Sequence, residues 1–144
     1  MTHLLAVPSG SESYRLTGPR TPRLPSIARD FLARVLPSTV PVDPDTLYAA
    51  KVCVSELVTN ALRHTTTPAI TIETTVGQDR CVVHVHDNSP DPPLLGRATL
   101  DREHGRGLAL VERYAETWGS ALYGGASPTH KSVWFRIALQ GRAR

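Results

Sequence analysis

Three short segments of this 144-residue chain carry side chains that could do chemistry. In the first, Glu56-Leu57-Val58-Thr59-Asn60, a carboxylate and a neutral amide stand four residues apart. On a helix both project from nearly the same side. An amide oxygen suits a hard cation such as Mg²⁺, and a carboxylate one turn away can take a proton from a nucleophile. In the second, Asp87 ends an alternating run in which Cys81, Val83 and Val85 share its parity, so an acid is aimed toward an apolar side. A carboxylate so placed can accept a hydrogen bond from an exocyclic amine. In the third, Gly105-Arg106-Gly107-Leu108, glycines at a helix start would let backbone N–H groups approach an anion, with Arg106 adding a charge-assisted contact. Each segment alone also fits something ordinary: a solvated helix stripe, a strand-end turn through Asn88 and Ser89, a loop-to-helix junction.

The elements that must position these residues follow from periodicity. Leu47, Ala50, Val54, Leu57, Val58, Ala61 and Leu62 fall within one arc at 100° per residue, which predicts a helix ending near His64. Glu56, Asn60 and His64 occupy its more polar side. A shorter helix is expected over 26–36, capped by Ser26 and ended by Pro37, followed by a connection over 37–45. Ile70, Ile72, Thr74 and Val76 alternate with polar residues, Gly77-Gln78-Asp79 is a hairpin turn, and Cys81 to His86 is the return strand. Residues 88–104 read as a long loop. Gly105-Arg106-Gly107 then opens a helix with Leu108, Val111, Ala115 and Trp118 on one face and Gly119 as its stop. Strands over 120–123 and 132–139 complete the chain, and 13–16 could form an edge strand. Helices and hairpins in this order, without β-α-β alternation, indicate an α+β fold with helices on one face of a largely antiparallel sheet.

Composition narrows the function classes. The length suits one domain. Fourteen of the sixteen basic residues are Arg, which suits phosphate or carboxylate partners. No run of five like charges occurs, so a nucleic-acid-binding tail is not indicated and no direct nucleic-acid partner is expected. Cys53 and Cys81 stand apart in apolar segments and read as two buried thiols, in keeping with a reducing cytoplasm. There is neither a signal-peptide pattern nor a run of about 18 apolar residues, so a cytoplasmic protein without a membrane partner is expected. The third segment is neither a Walker A loop nor a Rossmann turn, since the lysine and the feeding parallel strand are both missing. His84 and His86 share a strand face, but two such ligands do not make a metal site.

In combination the segments are far more specific. The chain resembles the GHKL (histidine kinase/Hsp90-like) ATPase superfamily over about residues 26–139. Val54-Ser55-Glu56-Leu57-Val58-Thr59-Asn60-Ala61-Leu62-Arg63-His64 is similar to its N box, Val85-His86-Asp87-Asn88-Ser89-Pro90 to its adenine-binding segment, and His104-Gly105-Arg106-Gly107-Leu108-Ala109-Leu110-Val111 to its second glycine box. Lys131-Ser132-Val133-Trp134-Phe135 looks like its last strand, where a Ser or Thr commonly supports the adenine beside the Asp. The resemblance implies a Bergerat-type two-layer sandwich, helices on one face of a mixed, mostly antiparallel sheet, binding ATP with Mg²⁺. It casts Glu56 as the catalytic base, Asn60 as the metal ligand, and Asn60, Asp87, Gly105, Arg106, Gly107, Leu108 and Ser132 as nucleotide-binding residues. One departure stands out: the family's first glycine box, Asp-x-Gly-x-Gly, is here Asp87-Asn88-Ser89-Pro90-Asp91, so no glycine of that box joins the site and nucleotide affinity is expected to be weak.

Within the superfamily the Ser55-to-Ala61 string, the short lid and the lack of a dimerisation hairpin look like the single-domain serine-kinase anti-sigma factor group and its actinobacterial relatives. That implies a protein-serine kinase acting on an anti-sigma factor antagonist, binding a sigma factor, and able to form a homodimer. The altered glycine box keeps open an alternative, a nucleotide-dependent binding module with little or no phosphotransfer. The expected organisation is an N-terminal arm over 1–25, the ATPase domain over 26–139 and a tail over 140–144.

Overall fold

The computed structural model describes residues 10–89, 102–127 and 129–139; the side chains of Thr39 and of 102–107 lie outside that description, as do the arm before residue 10, the loop over 90–101 and the tail. Three helices cover one face of a five-stranded sheet, the expected α+β arrangement. In chain order the elements are β1 (Glu12–Pro19), α1 (Leu24–Thr39), α2 (Pro44–His64), β2 (Ala69–Val76), β3 (Arg80–Asp87), α3 (Arg102–Tyr114), β4 (Thr117–Tyr123) and β5 (His130–Ala138). The strand order is β1-β2-β3-β5-β4, and each described pairing is antiparallel, where a mixed sheet was expected.

The sheet's two faces follow from the alternation of the strands. Ile70, Ile72, Thr74 and Val76 on β2, Cys81, Val83 and Val85 on β3, and Val133, Phe135 and Ile137 on β5 are buried on the helical side. They meet Leu32 and Leu36 of α1, Ala50, Cys53, Val54, Leu57, Val58 and Ala61 of α2, and Leu108 and Val111 of α3 in one core. Cys53 and Cys81 are free thiols within it, as expected, and burial pushes both up to about 12.

Local chemistry explains where the elements differ from the periodicity reading. Helix α2 begins at Pro44, inside the expected connection, because the Asp43 carboxylate accepts from Thr46 N at 2.8 Å and Pro44 sits where no intrahelical N–H is needed. Its far end is closed by Thr65, whose hydroxyl donates to Ala61 O, and by Arg20, which donates to the Leu62 and Thr65 carbonyls at 2.6 and 2.8 Å. Helix α1 starts at Leu24 rather than Ser26, without a side-chain cap. It also passes through Pro37 to Thr39, since a proline this near the end removes little of the hydrogen-bond ladder. Strand β1 is longer than expected and pairs with β2 along eight residues, so the arm contributes a full edge strand.

Helix α3 requires two corrections. It starts at Arg102, so Gly105, Arg106 and Gly107 lie inside its first two turns instead of opening it. It ends at Tyr114, and Trp118 and Gly119 belong to β4. Gly119 has a different task from stopping a helix: a Cβ there would lie 3.0 Å from the Trp134 ring, which rests on it from the neighbouring strand.

Candidate functional site

Glu56 and Asn60 project from α2 one turn apart, at the margin of its buried arc, and both are half-buried. Burial raises the Glu56 carboxyl above its ordinary range, and the positive charge of Arg63 partly opposes this. A carboxylate held in that state is better suited to receive a proton than a solvated one. The Asn60 amide has no hydrogen-bond partner among the described residues, which leaves its oxygen available to a cation. Helix α2 packs beside α3 and over β3 and β5, so the stripe lies on the same side of the sheet as Asp87.

Asp87 closes β3 on the helical face, as its parity predicted, and is only 5% exposed. Its carboxylate accepts the Ser89 backbone N–H at 2.8 Å, the local turn the sequence allowed for. It also accepts from Lys131 Nζ, at 3.1 Å to Oδ1 and 3.2 Å to Oδ2. Lys131 is equally buried, and the β3–β5 register sets it directly opposite Asp87. Sequence reasoning named Ser132 and missed Lys131. The available signal was parity, since Lys131 shares the face of Val133, Phe135 and Ile137.

Ser132 is not beside the Asp87 carboxylate. Alternation turns it to the outer face of the sheet, where its hydroxyl pairs with His84 Nδ1 at 2.9 Å and Tyr123 OH at 3.2 Å. That face also stacks His84 on His86 and Tyr123 on His130. Burial, and then the neighbouring His86, lower His84 to about 4. His86 Nε2 meets Glu73, which Arg15 also holds at 3.0 Å. An open cavity of about 380 Å³ lies at this end of the sheet and reaches Asp87 and Asn88; its other walls are Arg15, Thr67, Ala69, Thr71, His86 and His130, and neither Glu56 nor Asn60 lines it.

Gly105, Arg106 and Gly107 are placed by their backbone alone, in the first turns of α3. The free N–H groups of a helix are those of its N-cap and first three residues, so Gly105 and Gly107, the fourth and sixth residues of α3, lie just inside that free end. Leu108 is 2% exposed and its side chain belongs to the core, which leaves only its backbone to face a ligand.

The geometry thus brings a proton acceptor, a neutral oxygen donor, a buried carboxylate and a helix N-terminus to one side of one sheet. A family model described as histidine kinase-like ATPase domain matches residues 19–137. The chain therefore belongs to the histidine kinase-like ATPase domain family, whose fold supports ATP binding and a regulatory role. A search of curated proteins found no match. Among the described residues, no helix is long and apolar enough to cross a membrane.

Proposed function

We propose that this domain binds Mg-ATP between α2, α3 and the end of β3, and that it is a regulatory serine kinase of the anti-sigma factor type. The observation carrying the kinase reading is the half-buried Glu56, its carboxyl raised by burial, one turn from the Asn60 amide, which has no partner among the described residues. These residues fit the nucleotide and its metal: Asn60 would give an oxygen to Mg²⁺, Asp87 would accept from the adenine amine, and the start of α3 with Arg106 would face the phosphates. When bound, Mg-ATP supplies the transferable phosphoryl group. Glu56 takes the proton from the acceptor serine hydroxyl as that oxygen bonds to phosphorus and the bond to the ADP leaving group breaks. Few other groups are needed, because such transfer depends mostly on positioning and charge stabilisation.

The acceptor is proposed to be a serine on an anti-sigma factor antagonist, whose unphosphorylated form displaces a bound sigma factor. The N-box string Ser55 to Ala61 and the short lid support this. Incubation with γ-labelled ATP and the antagonist should label one serine, and Glu56→Gln should lower the rate by about 10²-fold or more. Equal labelling by the variant would refute Glu56 as base. The rival reading, a nucleotide-dependent binding module, is favoured by one observation: Asp87 is followed by Asn88-Ser89-Pro90-Asp91 instead of glycines. It predicts ATP-sensitive capture of a partner without any label.

A further inference from the structure

Lys131 is the group the nucleotide-site reading leaves unexplained. An ammonium stands on the apolar face of β5, 5% exposed, in line with Val133, Phe135 and Ile137. Asp87 neutralises it, and the two carboxylate oxygens account for two of its three N–H donors. The third has no acceptor among the described residues. Asp87 mirrors this. Its oxygens offer roughly four acceptor positions, of which Ser89 N takes one and Lys131 takes two. Among the described residues one acceptor and one donor therefore remain on a buried pair whose heavy atoms are 3.1 Å apart. A low-dielectric setting makes both expensive to leave unmet.

We propose that Lys131 is a base-reading residue: with Asp87 it forms an acceptor–donor pair that recognises the edge of an amino-substituted nitrogen heterocycle. In adenine the amine N–H would go to Asp87 and ring atom N1 would accept from Lys131 Nζ. A 6-oxo purine presents the reverse order, an acceptor and then a donor, and places its carbonyl oxygen against the Asp87 carboxylate. The pair thus selects amino over oxo purines with two contacts, where one carboxylate alone supplies a single contact. The inference rests on the reading of Asp87 as the adenine acceptor.

The test uses the whole wild-type chain and deletes atoms from the ligand, so no variant need fold. Calorimetric titration compares the Mg complexes of ATP, of purine riboside triphosphate, which lacks the amine, and of 1-deaza-ATP, which has carbon in place of N1. Each deletion should weaken binding by roughly 10- to 100-fold, as loss of one charge-assisted hydrogen bond predicts. If 1-deaza-ATP binds within twofold of ATP while purine riboside triphosphate is weakened, the Lys131 proposal is overturned and the Asp87 reading stands. If loss of the amine has no effect, the Asp87 reading itself fails. Lys131→Met supplies a second check: it should abolish the preference for ATP over 1-deaza-ATP. A merely structural lysine would weaken both ligands equally and leave that preference intact, which would also overturn the proposal.

Discussion

The Asp87–Lys131 pair makes a quantitative claim about stability. The two side chains are 2% and 6% exposed, and their charged atoms are 3.1 Å apart. Taking out the lysine by Lys131→Met leaves a buried carboxylate with, among the described residues, only the Ser89 N–H to satisfy it. Breaking a buried pair from one side costs about 3–5 kcal/mol, mostly as the penalty of the stranded charge. Replacing both partners by uncharged groups of similar size is close to neutral by the same argument. Lys131→Met should therefore lower stability by about 3 kcal/mol in urea unfolding, a drop of about 10 °C in Tm for a domain of this size. The double variant Asp87→Asn/Lys131→Met should recover most of that loss. The double-mutant coupling is the decisive quantity, because it removes effects unrelated to the pair. A single variant within about 1 kcal/mol of wild type, or a double variant at the sum of the two singles, would refute the claim that the pair is buried and mutually dependent.

Other residues give independent tests. Thr74 is fully buried, and its hydroxyl has no hydrogen-bond partner among the described residues, so Thr74→Val should stabilise the fold by about 1 kcal/mol in urea unfolding; destabilisation would mean the hydroxyl is satisfied. Gly119→Ala places a methyl 3.0 Å from the Trp134 ring and should cost about 1–3 kcal/mol, with a change in Trp fluorescence that a neutral substitution would not give. His84 is lowered to about 4 by burial, so the stability it contributes is present above about 6.5 and is lost as pH falls through 4; at pH 4.5 the loss should approach 2–3 kcal/mol, and His84→Asn should flatten that part of the stability–pH curve. Glu56 has the opposite sign: its carboxyl is raised, so its contribution is present below the ordinary carboxylate range and lost as pH rises through its folded value, and Glu56→Gln should remove this fall.

Much of this was legible from residue spacing, and the exceptions have physical causes. The α2 arc and the parity of β2 and β3 were readable because each buries one face, and burial imposes a period. The same parity predicted that Asp87 would be turned inward. It was not applied to β5, where it separates Lys131 from Ser132. The helix boundaries were harder because caps decide them. Asp43 with Pro44 starts α2 inside what looked like a proline-rich connection, and Arg20, from the connection after β1, closes its other end. The glycines of α3 looked like a helix start because they are poor helix formers, yet the penalty is only about 1 kcal/mol each and the packing of Leu108 and Val111 outweighs it.

The central claim is that this chain reads a nucleotide through Asp87, and calorimetric titration of Mg-ATP into wild type and Asp87→Asn tests it most directly. The account predicts saturable wild-type binding that falls roughly 10- to 100-fold in the variant. No wild-type binding at millimolar nucleotide, or equal binding by the two proteins, would contradict it.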